Sequence, residues 1–228
     1  MEETKFIDHL KNSFSAIKSH AFFILTLVLI ESISTTLSVH YSMSMDDSVV
    51  LASAVGSVFV NIILTVIALN IFYTHYKGYD FSWRKSFWDI PTYIFYELSF
   101  GLLTFFGAIL LVVPGIIVFF YLCFSPIVAI LFDDEEHIDE GILRKTKELI
   151  SVDLKTYTAI FIPFMFFNIV DIIFDKIFSY VSTDIWVSAP FRFIICLLSV
   201  ICLGQMVSFL NHCLKIKFPT ENGHYNQD

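Results

Sequence analysis

Residues 90–132 read IPTYIFYELSFGLLTFFGAILLVVPGIIVFFYLCFSPIVAILF, and Glu97 is the only charged side chain among them. As a single helix at about 1.5 Å per residue the stretch would run roughly 65 Å, about twice the ~30 Å hydrocarbon core of a bilayer. It has to turn. Pro114-Gly115 lies near its middle, and proline suits the first turn of a new helix while glycine tolerates a sharp backbone. The pair is the expected turn of a tight hairpin with arms at 90–113 and 115–132.

The remaining chain has the same character. Hydrophobic residues make up 56% of the 228, mean hydropathy is +0.72, and 26 residues are Phe. A soluble domain carries about 45–50% apolar residues and could not hide this surplus; lipid is the solvent that accommodates it. Four further apolar runs are long enough to cross: 21–39, interrupted by Glu31; 49–73, with Asn61 and Asn70 but no charge; 156–181, with Asp171 and Asp175; and 186–213, with Arg192 in its first third. The expected fold is an all-α polytopic transmembrane bundle of about six spans over 21–214. An amphipathic interfacial segment, 1–20, precedes it and a cytoplasmic tail, 215–228, follows. Residues 21–30 resemble the apolar part of a secretory signal. Glu2, Glu3 and Asp8 stand before them and no A-x-A site follows, so they read as the start of the first span.

Orientation follows from the basic residues. Lys5, Lys11 and Lys18 precede the first span, and Lys77, Arg84 and Lys85 join the second to the third. Arg144, Lys145, Lys147 and Lys155 join the fourth to the fifth, and Lys215 and Lys217 begin the tail. In a six-span chain all of these fall on one side, leaving only Lys176 and Arg192 of the 14 Lys and Arg near the other. Both ends are therefore expected in the cytoplasm, in a bacterial inner (plasma) membrane. Trp83, Trp88 and Trp186 are placed as interface anchors.

Two segments are expected to lie along the membrane or the bundle. Phe6, Ile7, Leu10, Phe14 and Ile17 recur at helical spacing, as in a surface helix. In the connector, acidic residues from Asp133 to Glu140 precede Arg144, Lys145 and Lys147, which suits a helix macrodipole, and Ile138, Ile142, Leu149 and Val152 can share a face. A divalent-cation site at Asp133-Asp134-Glu135-Glu136 is the alternative to a solvated helix start, but the spacing of a calcium loop is missing. Cys123, Cys196, Cys202 and Cys213 all sit in apolar runs without CxxC spacing and read as small hydrophobes, neither disulfides nor zinc ligands.

Charge and motifs narrow the function classes. The formal charge is −8 with no basic stripe, which argues against nucleic acid as a partner. No H-E-x-x-H, G-x-S-x-G or P-loop is present, and Glu135-Glu136 lacks the Arg that a prenyl-protease-like motif needs four residues on, where Glu140 stands. No enzymatic activity, cofactor or metal is expected. The candidate site residues are instead the polar groups at membrane depth, each costly unless paired or hydrated: Glu31, Asn61, Asn70, Glu97, Asp171, Asp175 and Arg192. Asp171 and Asp175 share a helix face and Arg192 begins the next helix at a comparable depth, so an ion pair or a polar outward cavity is expected there. Glu31 with Asn61, and Glu97 with Asn70, could form interhelical hydrogen bonds or a cation relay.

The ordered set Leu110-Leu111-Val112-Val113-Pro114-Gly115-Ile116-Ile117, Tyr121, Pro126-Ile127-Val128, an acidic turn, and the basic helix Gly141-Ile142-Leu143-Arg144-Lys145-Thr146-Lys147-Glu148-Leu149 resembles a known pattern. It is similar to the YciC-like bacterial inner-membrane proteins and the related membrane domain of glycerophosphodiester phosphodiesterases. Thr146 stands where that family usually has Ser, and outside 107–158 the likeness is one of hydropathy. The resemblance implies a six-helix inner-membrane protein without catalysis of its own, since in the enzymatic relatives activity belongs to a separate soluble domain. The longest extramembrane stretch within this chain, roughly 133–155, is too short for one. Phosphodiesterase activity is therefore not carried over.

The expected role is non-enzymatic: membrane or envelope homeostasis, with the bilayer and a membrane protein as partners. A small-solute or ion transporter using the intramembrane carboxylates is one alternative, and self-immunity against a membrane-active peptide is another.

Overall fold

The computed structural model describes residues 6–42, 47–110, 112–132, 141–181 and 185–217, and every regular element among them is an α-helix. In chain order these are α1 (Phe6–Ser19), α2 (Ala21–Ser42), α3 (Asp47–Lys77), α4 (Trp83–Leu110), α5 (Val112–Leu122), α6 (Ser125–Phe132), α7 (Ile142–Val152), α8 (Leu154–Val181) and α9 (Ile185–Lys217). The acidic connector at 133–140 and the tail from 218 lie outside the described residues, as do the side chains of Pro114, Gly115, Asp175 and Trp186.

Local chemistry sets the helix ends. α3 stops where Gly78 takes a φ of 75°, and the Tyr79 amide then reaches back 2.9 Å to the Thr74 carbonyl. That left-handed cap suits glycine, which has no Cβ to clash. Ser82 precedes α4 and its Oγ accepts from the Lys85 amide at 3.4 Å. Between α7 and α8 the chain bends by 107° with only Asp153 between them. Asp153 manages this as an N-cap: Oδ1 accepts from the Thr156 amide at 3.0 Å and Oδ2 from the Thr156 hydroxyl at 2.7 Å. Burial pushes the Asp153 carboxyl up, but these bonds outweigh it and hold the group below its ordinary range.

Pro114 and Gly115 do not form the turn expected of them. α4 ends at Leu110 and α5 already starts at Val112, so both residues lie in the first turn of α5. Proline is tolerated there because the first amides of a helix have no intrahelical acceptor. The two arms do pack on one another, and the Phe100 and Phe119 rings meet at 5.5 Å. The expected helix at 115–132 is divided by a turn at Cys123-Phe124. Pro126 has no amide for the Leu122 carbonyl, and the Tyr157 hydroxyl donates to the carbonyl of Phe120.

α9 is the axis of the bundle. Of its most apolar window 67% is buried inside the protein, against 22% for α2 and 17% for α3. From Cys202 to Leu214 almost every side chain is enclosed, with α1, α2, α3, α7 and α8 packed around the helix. The tightest point is Gly204. A Cβ built there would come 2.4 Å from Ser13 Oγ and 2.6 Å from the Phe72 ring, so glycine is what lets α1 and α3 reach α9 together.

α1 docks by a small and polar face. His9, Ser13 and Ala16 are buried, whereas Ile7 and Phe14, from the apolar stripe, stay more than half exposed. α7 instead turns Ile142, Thr146, Leu149 and Ile150 inward and leaves an Arg144–Glu148 ion pair of 2.9 Å outside.

Three described helices are long and apolar enough to cross a membrane: Ala21–Tyr41, Asp47–Lys77 and Ser188–Lys217. Ile142–Val152 with Leu154–Asp171 makes a fourth if the bent pair is one span, and Ile116–Leu131 is a shorter apolar helix. Among the described residues the count is thus three to four by length and composition. Around the bundle Leu98, Phe105, Ile109, Ile116, Ile162 and Phe166 are exposed large apolar side chains, a surface that lipid tolerates and water does not.

Gly204→Ala is expected to lower the detergent-solubilised melting temperature, because Phe72 is buried and cannot yield; overpacking of this kind costs about 1–3 kcal/mol. Gly56→Ala and Gly101→Ala, which meet nothing within 4 Å, should leave it unchanged or higher. Equal melting of the three variants would show that the approach at Gly204 is not tight.

Candidate functional site

Polar side chains gather in three places. The first joins α2, α8 and α9. Arg192 is only 1% exposed; its Nη1 lies 4.0 Å from Asp171 Oδ1, and its guanidinium sits 6.0 Å from the centre of the Phe174 ring. The expected approach of Asp171 and Arg192 is what the structure contains. Glu31 joins them, within electrostatic reach of Asp171, and next to it Ser32 Oγ donates to the Ala189 carbonyl at 3.1 Å. Asn61, paired with Glu31 in the sequence reading, keeps a buried Oδ1 with no hydrogen-bond partner.

The second place joins α3 and α4. Asn70 Nδ2 donates to Asp89 Oδ2 at 2.8 Å and to the Val66 carbonyl at 3.2 Å. Lys85 Nζ is 4.0 Å from Asp89 Oδ1, one helical turn away, and lies 5.8 Å over the Tyr73 ring. Asp89 is 1% exposed and was not among the sequence candidates, because it stands just before the apolar run and counted as connector. The Lys85–Asp89 spacing of four was the available signal. Asn70 meets Asp89 rather than Glu97, whose carboxylate takes a hydrogen bond from Tyr93 on its own helix.

The third place is a cavity of about 330 Å³ between α1, the end of α3 and the end of α9. From α1 come His9 and Asn12; from α3 His75 and Tyr76; from α9 Ser208, Asn211, His212 and Lys215. His9 is 1% exposed, with Nδ1 3.0 Å from Ser208 Oγ, and Asn12 Nδ2 donates to the same oxygen at 3.2 Å. The His9 ring is held edge-on by Phe209 at 5.8 Å and by His212 at 5.9 Å. Burial, and then His212, lower the His9 pKa to about 4, while Asp8 and Asp153 pull weakly the other way. None of these residues was singled out from sequence. The spacing of His9, Ser13 and Ala16 was the trace they left, a small and polar stripe beside the apolar one.

Among the described residues no group of three or more His, Cys, Asp or Glu is placed to hold a metal ion. Helices this apolar and this long mark a membrane-embedded, all-helical protein. In comparisons with known proteins, no family model, no curated protein and no solved structure matches the chain.

Two outcomes are expected. Asp171→Arg should cut the yield of folded protein, since it sets a second cation beside the buried Arg192 guanidinium; adding Arg192→Asp should restore it. Failure of the double swap would leave the pair no role in joining α8 to α9.

The second concerns acid. With a folded pKa near 4 against an ordinary 6.5, the unfolded chain takes up the His9 proton first. The stability that neutral His9 contributes is then complete above about pH 6.5 and lost as pH falls towards 4. The melting temperature should drop across that window by less in His9→Gln than in the wild type. Identical pH profiles would assign the acid sensitivity elsewhere.

Proposed function

We propose that the chain is a six-span bacterial inner-membrane protein with both ends in the cytoplasm. It acts without catalysis in membrane or envelope homeostasis by binding at its cytoplasmic face. The observation that carries this reading is the division of polar groups along α8 and α9. The Glu31–Asp171–Arg192 cluster occupies one end and the His9 cavity the other. Along α8 between Asp171 and Asp153 stand Phe164, Phe161 and Tyr157, packed edge-on or tilted against Phe120 and Phe124. An aromatic layer between two polar ends suits a protein that holds a ligand or partner at one face. Asp171 and Arg192 then tie α8 to α9. The distribution of Lys and Arg supports the orientation. The likeness of 107–158 to the YciC-like proteins supports the class.

The Glu31–Asp171–Arg192 cluster favours a second reading, a small-solute or ion transporter, because charged groups inside a bundle so often line a substrate path. Purified protein in proteoliposomes separates the two: ion flux that disappears with Glu31→Gln or Asp171→Asn establishes transport, and its absence in the wild type favours binding.

Topology is tested by single cysteines in a chain whose own four are replaced by alanine. Lys18→Cys, Asp80→Cys, Lys147→Cys and Lys217→Cys should react with an impermeant maleimide only from the cytoplasmic side, and Ser48→Cys only from the other. Labelling of Asp80→Cys and Lys147→Cys from opposite sides would overturn the six-span arrangement.

A further inference from the structure

We propose that the cavity between α1, α3 and α9 is a binding site for a phosphate group, carried by a lipid headgroup or free in solution.

Two polar side chains that line it have hydrogen-bonding capacity left over. His9 Nε2 and Asn211 Oδ1 are buried without any hydrogen-bond partner, on residues only 1% and 6% exposed. Both residues line the same cavity, so a ligand entering it with a small side-chain adjustment would meet both groups at once. The sign of the missing partner follows from the bonds already made. Ser208 Oγ accepts from Asn12 Nδ2, so its own proton is available to His9 Nδ1, 3.0 Å away. In that assignment the ring hydrogen sits on Nε2, which becomes a donor in need of an acceptor. The neutral state that burial imposes on His9 is the state this arrangement uses.

The rest of the wall agrees. Lys215 brings an ammonium group, and His75 and His212 bring imidazoles. Among the described residues no carboxylate lines the cavity; Asp8 and Asp153 act on His9 only from a distance. His20 meets His75 at 5.7 Å, so four of the seven histidines gather at this end of the bundle. Donors and a cation without a lining acid select an oxyanion. A volume of about 330 Å³ is room for more than a bare ion and matches the lower end of ligand pockets. Asn211 Oδ1, an acceptor, then faces a hydroxyl or ammonium substituent of the phosphate. The histidine geometry does not suit a metal, since no three of these groups converge on one point.

The test uses the full-length protein in neutral detergent. Inorganic phosphate is titrated calorimetrically, and native mass spectrometry measures retention of phosphatidylglycerol against an uncharged diacylglycerol. Lys215→Met, an exposed position that leaves packing intact, should weaken binding about tenfold, the loss of one charge-assisted hydrogen bond. Asn211→Leu should weaken only a ligand with a donor substituent. Saturable phosphate binding that Lys215→Met weakens assigns the site to the free ion. Preferential retention of phosphatidylglycerol without phosphate heat, again lost in Lys215→Met, assigns it to a headgroup. Equal retention of the two lipids with no phosphate heat, or binding that Lys215→Met leaves intact, overturns the proposal. Maleimide labelling reads membrane topology separately, so a wrong span count and an empty cavity give different results.

Discussion

The C-terminal half of α9 depends on how closely two other helices approach it at Gly204. Ser13 from α1 and Phe72 from α3 occupy the space that any side chain at 204 would need. The contact is reinforced by hydrogen bonds to the backbone of α9, Ser13 Oγ to the Ile201 carbonyl at 2.9 Å and the Tyr76 hydroxyl to the Gly204 carbonyl at 3.1 Å. In lipid, helices gain little from burying apolar surface against each other, so close packing and hydrogen bonds across small residues are the available sources of cohesion. Gly204 allows both. It also positions the cavity, because Ser208, Asn211 and His212 lie one and two turns further along the same helix, facing the ends of α1 and α3.

The polar groups of the bundle divide by what surrounds them. Arg192 is enclosed with Asp171 beside it and the Phe174 ring within cation–π range, an arrangement that keeps the desolvated charge compensated and joins α8 to α9. Asn70 and Asp89 do the same for α3 and α4 at the other end. His9 and Asn211 each keep a buried atom with no partner, as Asn61, Asn70 and Gln205 do elsewhere, while His9 Nδ1 is met by Ser208. What sets the two apart is their shared cavity, whose described lining also carries Lys215 and two further imidazoles.

Much of the fold was legible in the sequence because hydropathy in a membrane chain reports directly on length and solvent. The apolar runs starting near 21, 49, 90, 156 and 186 all became helices, and Asp171 and Arg192 came together as their depth implied. The turn at Pro114-Gly115 was misjudged because proline is equally at home between helices and in the first turn of one. The division of 115–132 was missed for a related reason: Pro126 was read as part of an apolar run, whereas its missing amide frees a carbonyl on the preceding turn. For Asp89 the sequence shows the spacing to Lys85 but not the pairing with Asn70, which lies on another helix.

The cavity was illegible for a deeper reason. Apolar periodicity in a soluble helix marks the face turned to the protein, and applied to α1 it selects Ile7 and Phe14. Both point outward, and His9, Ser13 and Ala16 dock instead. At a membrane surface the apolar stripe has somewhere else to go, so the inward face is free to be small and polar. Small residues let the helices approach, and polar residues then find partners that lipid could not supply. The binding groups of such a protein therefore fall on the stripe that a hydrophobicity pattern discards. In this chain that stripe carries His9, a buried histidine whose second nitrogen is unmet.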